Sequence, residues 1–250
     1  MKFRLLVSAL ALSLAACGGG GGDAPAASLQ LSDLQGFWSG PLTGTDLHGA
    51  THADSVVLND GTAWTVLRTD TATTTTLVGL VKGQLSVSGT TYSGSGKDYT
   101  FSPAAVRDVS LSGTASAGTS LSTSVQVSGA TTTTASTMTY NSRYRTAAVQ
   151  GDFAGAWQGS VGGGAVVVTW TVATNGALSG TDTTGCTYAG TVLTRPEGVA
   201  VYNLNVTETC AGASNTWSGI ATLDTAKTKA SFAFVTADGS AANLLIATKN

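Results

Sequence analysis

The two histidines of this 250-residue chain fall in one short stretch, Asp46-Leu47-His48-Gly49-Ala50-Thr51-His52-Ala53-Asp54. Neutral imidazoles flanked by carboxylates are a donor set that suits zinc. A spacing of four would put both rings on one helix face, but Gly44, Gly49 and the strand-like run from Ser55 favour a solvated loop between the first two strands. If a metal is held there, His48 and His52 are the ligands and Asp46 or Asp54 completes the set. Other chemistry is thinly served. No Gly-x-Ser-x-Gly elbow raises a serine nucleophile. Glu197, in a turn, and Glu208, beside a cysteine, show no partner carboxylate for glycoside cleavage. The residues therefore point away from an enzyme, and no motif asks for a cofactor. Twelve Lys+Arg against fourteen Asp+Glu give a net charge of −2, which leaves no basic face for nucleic acid.

The start of the chain carries a different kind of chemistry. Lys2 and Arg4, the apolar run Leu5 to Leu14 and the small pair Ala15-Ala16 read as a secretory leader over 1–16, too short to span a bilayer. Leu14-Ala15-Ala16-Cys17 resembles a bacterial lipobox, in which the cysteine becomes both the lipidated residue and the new N-terminus. That resemblance implies three acyl chains on Cys17, and at ~0.8 kcal/mol per buried methylene such an anchor is effectively permanent. It also implies the outer membrane, because Gly18 stands where an aspartate would favour retention at the inner one. The Gly18–Gly22 run lacks the strand, helix and lysine of a phosphate loop. It reads as a flexible tether within an anchor segment over 17–33. With Cys17 taken by lipid, Cys186 and Cys210 form an even pair in an oxidising compartment and are expected to make one disulfide.

The elements that would position these residues are strands. Charged residues make up 10% of the chain and hydrophobic ones 42%, and Thr, Ser and 32 Gly supply the rest of the polarity, a composition of short strands and tight turns. Gly36-Phe37-Trp38-Ser39-Gly40 recurs as Gly155-Ala156-Trp157-Gln158-Gly159, so the chain reads as duplicated, with units over 34–146 and 147–250. Ser32-Asp33-Leu34-Gln35 fits a capping box for a helical turn before the first Trp strand. In the second unit eight runs are expected, over 154–161, 165–173, 176–181, 186–195, 199–208, 215–224, 229–237 and 242–249, joined at Asn175-Gly176, Arg195-Pro196-Glu197-Gly198 and Asp238-Gly239. Tyr202, Leu204 and Val206 alternate with Asn203, Asn205 and Thr207, giving one buried and one wet face. The first unit offers nine candidate runs, over 36–43, 54–59, 62–68, 75–82, 84–95, 97–102, 107–115, 119–128 and 131–142, with a hairpin at Asn59-Asp60-Gly61. The Thr runs 73–76 and 131–134 read as solvent-facing strand.

The order of lipobox, glycine run, two Gly-x-Trp units, Asn175-Gly176-Ala177-Leu178-Ser179-Gly180, Gly185-Cys186-Thr187-Tyr188-Ala189-Gly190 and Val201 to Val206 resembles a broad group of uncharacterised proteobacterial lipoproteins. In architecture it is distantly similar to the neisserial factor H-binding lipoprotein, and its Gly-x-Trp strands are similar to those of lipocalins. The expectation is an all-β protein of two tandem antiparallel units, the second an eight-stranded up-and-down, lipocalin-like barrel with one disulfide. Gly36, Trp38, Gly155 and Trp157 are read as structural, the tryptophans plugging barrel ends. Function is expected to be non-enzymatic: a lipid-anchored outer-membrane module binding the membrane through its anchor and a host or envelope macromolecule through its loops. The alternative is a carrier of a small apolar ligand inside a barrel.

Overall fold

The computed structural model describes residues 28–101, 103–161, 164 and 166–250; the leader, Cys17 and the glycine run lie outside the described residues. The chain forms two closed, antiparallel, eight-stranded barrels in which every strand pairs with its neighbour in sequence and the last closes on the first. The first barrel comprises β1 (Gly36–Thr43), β2 (His52–Val57), β3 (Thr62–Asp70), β4 (Thr75–Ser88), β5 (Thr91–Phe101), β6 (Ala104–Ser116), β7 (Ser120–Val127) and β8 (Thr134–Asn141). The second comprises β9 (Gly155–Val161), β10 (Val167–Val172), β11 (Ala177–Asp182), β12 (Thr187–Thr194), β13 (Tyr202–Cys210), β14 (Ala213–Leu223), β15 (Lys229–Thr236) and β16 (Ala242–Lys249). Closure leaves no free sheet edge to template aggregation.

Alternation explains which side chains go inside. In β7, Leu121 and Val125 are buried while Ser120, Ser122 and Ser124 are not, and in β13 Tyr202, Leu204 and Val206 fill the interior. Apolar inside and Ser/Thr outside is the reverse of a membrane-spanning barrel, whose apolar band faces lipid. No helix among the described residues is long and apolar enough to cross a membrane. The second interior is packed with aromatic rings: Phe153 meets Trp157, Tyr202 and Phe232, and Trp170 meets Tyr188, Phe232 and Phe234, at centroid separations of 4.7–6.1 Å. Eight strands enclose a space just wide enough for such filling.

Each barrel has the same floor. A short helical turn, α1 (Leu31–Leu34), precedes the first, and a 3-10 turn, Gln150–Phe153, precedes the second. The last residue of each turn, Leu34 or Phe153, is fully buried. The indole N–H of Trp38 donates to the Leu34 carbonyl at 2.8 Å, and that of Trp157 donates to the Phe153 carbonyl at the same distance. Gly-x-Trp thus places a large ring across the barrel end and satisfies a helix-terminal carbonyl that would otherwise be orphaned. The cap of α1 falls two residues before the expected one: Gln30 is the N-cap, and its N–H donates to the Asp33 carboxylate at 2.8 Å.

The first unit departs from expectation in several places. It has eight strands, not nine, because the divisions expected near Gly83 and Gly96 do not occur and a single one falls at Gly89, inside the expected 84–95 run. β4 runs through Gly83, and the chain reverses at Gly89, whose φ of +59° is the left-handed conformation a tight hairpin turn needs. β2 begins earlier than expected, at His52. The Thr runs face solvent as expected except for buried Thr134, but only Thr75, Thr76 and Thr134 lie in strands, and Thr71 and Thr74 bond each other across the β3–β4 reversal. In the second unit, β13 starts at Tyr202 because Val199 and Val201 leave the barrel to pack elsewhere.

They pack into a seam between the barrels. Phe37, Trp64, Leu80 and Tyr99 from the outer wall of the first meet Ile220, Ala233, Val235 and Leu244 from the second, with Tyr144, Val199 and Val201 of the connecting segments between them. The seam explains stretches that are apolar on both faces, such as Leu77 to Val81 in β4 and Phe232 to Val235 in β15. One face lines a barrel and the other lines the seam. Tyr99 donates its hydroxyl to the Gly239 carbonyl at 3.1 Å across the junction. The 3-10 turn Ser142–Arg145, which follows β8, lies at this junction. Tyr144 is buried, Arg143 lies 5.2 Å over the Phe37 ring and donates to the Leu223 carbonyl, and Arg145 lies over Tyr140.

Candidate functional site

In both barrels the strands that rise from the floor end at an opposite mouth, and the two mouths are built differently. At the first, the β1–β2 connection 44–51 folds inward, burying Leu47 and Ala50. Inward-facing Asp98, near the end of β5, is fully buried and paired with Arg107 of β6, whose Nη2 is 2.5 Å from Oδ2. His48 Nε2 lies 2.9 Å from both Asp98 oxygens. Below this cluster the interior retains a cavity of about 30 Å³, bordered by Leu67, Val81, Leu111 and Met138. That is room for a water or two, not for a lipid.

At the second mouth the β9–β10 connection spans only 162–166. A cavity of about 250 Å³ lies there among Trp170, Asp182, Tyr188, Glu208, Trp217 and Phe234. Alternation turns Asp182 of β11, Tyr188 of β12, Glu208 of β13 and Trp217 of β14 toward the barrel axis. The Tyr188 hydroxyl is 2.8 Å from Asp182 Oδ2 and 2.8 Å from Glu208 Oε1, and Trp217 Nε1–H donates to Glu208 Oε2 at 3.1 Å. Burial alone would raise the Asp182 pKa. Hydrogen bonds from the Thr184 and Tyr188 side chains and from the Thr184 and Cys186 N–H groups outweigh it and hold the carboxyl below its usual range. Burial raises the Tyr188 pKa, and its contacts with Glu208 and Asp182 raise it further, so the phenol keeps its proton. One phenolic proton cannot satisfy two carboxylates, so acceptor capacity is left over. Neither Asp182 nor Glu208 joins any ion pair among the described residues. The buried Trp170 Nε1–H likewise finds no acceptor among them.

The disulfide lies at this rim. Cys186 and Cys210 are bonded, with Cα atoms 4.4 Å apart and a sequence separation of 24. By the chain-entropy relation such a loop closure stabilises the barrel by about 3.5 kcal/mol. Glu208 and the two sulfurs lie within 4.8 Å of one another, a grouping that would suit a metal were the thiols free. The S–S bond removes them as thiolate ligands.

The two histidines are not brought to a common centre. His48 faces Asp98 and Arg107 in the first mouth. His52, on β2, has Nε2 2.9 Å from Ser39 Oγ, while that hydroxyl donates to Asp54 Oδ1 at 2.5 Å and Arg68 Nε donates to Asp54 Oδ2 at 2.7 Å. With the Ser39 proton given to Asp54, His52 is left as the donor to Ser39. A nucleophilic triad needs the imidazole between serine and carboxylate, so this order is wrong for catalysis. Burial lowers the His52 pKa, and Arg68 lowers it further against the opposing pull of Asp54. Asp46, the other carboxylate considered for a metal, is bonded to Thr132. Two grooves flank the seam, of about 650 Å³ beside Tyr99 and Arg195 and about 420 Å³ beside Phe37 and Arg143.

No protein-family model matches the chain, and no curated protein does. Among solved structures it is similar to the isotype 1 transferrin binding protein B from serogroup B Neisseria meningitidis, with a TM-score of 0.27 and 10% identity over 84% of this chain and 68% of that one. The Asp182–Tyr188–Glu208 group was not legible as a site from sequence. A usable signal existed in the duplication: with the barrels aligned on inward-facing Tyr92 and Tyr202, Asp98 and Glu208 occupy the same position.

Proposed function

We propose that this protein is a non-enzymatic binding module of the cell envelope, anchored in the outer membrane by acylated Cys17 and held off the bilayer by the Gly18–Gly22 tether. It presents its barrel mouths and seam grooves to an envelope or host macromolecule. The observation that carries this reading is the packing of the two barrel interiors, of which the second keeps about 250 Å³ open at its mouth. A cavity of about 30 Å³ in the first is far below the roughly 300 Å³ at which ligand pockets begin, which disfavours interior carriage of an apolar ligand. Recognition is left to loops over a rigid scaffold. Division into a leader over 1–16, an anchor segment over 17–33 and units over 34–146 and 147–250 belongs to the same proposal.

Protease treatment of intact cells, with a periplasmic protein as control, tests the placement. Degradation of this protein while the control survives is the expected result for a module facing outward to a host macromolecule. Protection until the outer membrane is permeabilised would restrict its partners to the envelope. Cys17→Ser is expected to move the chain from the membrane to the soluble fraction. Retention in the membrane would overturn the anchor.

A further inference from the structure

The two mouths can be compared position by position, because the barrels repeat one plan. In β5, Tyr92 and Asp98 face inward, and in β13 Tyr202 and Glu208 stand at the same spacing. The residue across the ladder from Asp98 is Arg107, and the residue across from Glu208 is Asn215. On the other side, Val81 pairs with Asp98, whereas Tyr188 pairs with Glu208. The first mouth therefore supplies a guanidinium for its carboxylate. The second has no cation at that place, and it adds a second carboxylate, Asp182.

We propose that the mouth of the second barrel binds a small cationic amine, whose ammonium occupies at Glu208 the role that the Arg107 guanidinium fills at Asp98. The inference deepens the binding reading above and rests on it. Three observations converge on this chemistry. Glu208 has no ion-pair partner among the described residues and shares the Tyr188 proton with Asp182, whose other oxygen already takes the Thr184 and Cys186 donors, so positive charge is lacking in the mouth and the open acceptor capacity lies at Glu208. The walls are aromatic, with Trp170, Trp217 and Phe234 bordering the space, and aromatic faces attract cations. Trp170, also on the wall, has a buried N–H without an acceptor, which a hydroxyl or carbonyl oxygen on the ligand would satisfy. At about 250 Å³ the cavity falls below the range for drug-sized ligands, so the occupant is a compact amino alcohol or amino-carbonyl group. Such a group is found both in free small molecules and in lipid headgroups.

The test uses the full chain and the indole N–H resonances of its tryptophans. Ethanolamine is expected to shift the Trp170 and Trp217 resonances saturably. Ethylene glycol, a neutral analogue of similar size, is expected to bind at least about tenfold more weakly, a difference of 1.4 kcal/mol. Glu208→Gln should weaken ethanolamine by a similar factor. If that variant does not fold, the comparison of ethanolamine with ethylene glycol on the unaltered chain decides the matter. Tighter binding of glycerophosphoethanolamine than of ethanolamine would support the site and identify a lipid headgroup as the source, and the reverse order would support it with a free amine. Equal responses to ethanolamine and ethylene glycol, or no saturable response to any of the amines, would overturn the proposal. Either failure would leave the anchor and cell-surface tests unaffected, so the two readings fail separately.

Discussion

Trp157→Ala is expected to destabilise the second barrel by about 3–5 kcal/mol, the range for deleting a large buried aromatic side chain. Trp157 is 1% exposed, and its ring packs 5.2 Å from Phe153. Its N–H donates to the Phe153 carbonyl, and Lys249 Nζ sits 5.3 Å over its face. The ring is thus the floor of the barrel and the cap of the turn beneath it. Trp157→Phe separates the two roles, since it keeps most of the apolar volume and loses the hydrogen bond. It should cost about 1–3 kcal/mol, the penalty for an unsatisfied buried polar group. Urea unfolding followed by circular dichroism measures both. A loss below about 1 kcal/mol for Trp157→Ala would mean that the floor collapses around the deletion, and the structural role assigned to Gly-x-Trp would be wrong.

Arg107→Met should be the second large effect. Asp98 is fully buried, and removing one partner of a buried ion pair leaves a charge without compensation, at about 3–5 kcal/mol. The lower end of that range is expected, because the Arg107 side chain is 36% exposed and His48 also contacts the carboxylate. Replacing both partners, with Asp98→Leu added to Arg107→Met, is expected to recover most of the loss, since apolar side chains of similar volume do not need each other. The same urea experiment reads the cycle. Equal stabilities for the single variant and the unaltered chain would show that water reaches Asp98. The contrast between a self-neutralised first mouth and an uncompensated second one would then lose its basis.

How far the sequence could be read follows from what each residue reports. The second barrel was legible because its turns carry strong local signals, such as Asn175-Gly176 and Asp238-Gly239, and because its strands alternate cleanly, as from Tyr202 to Thr207. The first was misdivided because glycine is ambiguous. Gly83 lies inside β4, where a Cβ would come 2.8 Å from Leu111 Cδ1, while Gly89 makes the turn. Both look like punctuation in a one-dimensional pattern. The seam stayed hidden for a related reason. Trp64, Leu80 and Tyr99 interrupt the alternation by being apolar on the outer face, and local periodicity cannot say what covers such a face. The site was hidden because its members lie on four different strands and meet only when those neighbouring strands pair in register. His48 and His52, the nearest neighbours in sequence, face different ways, His48 into the mouth from the inward-folded connection and His52 onto the outer wall from β2.

Native mass spectrometry of the protein, isolated from membranes and released from detergent, reads the anchor and the barrel contents together. The expected mass is that of a chain beginning at Cys17 with three acyl chains attached and no further apolar ligand retained. A stoichiometric lipid that stays bound beyond those acyl chains would contradict the filled barrels, and an unacylated chain that keeps its leader would contradict the anchor.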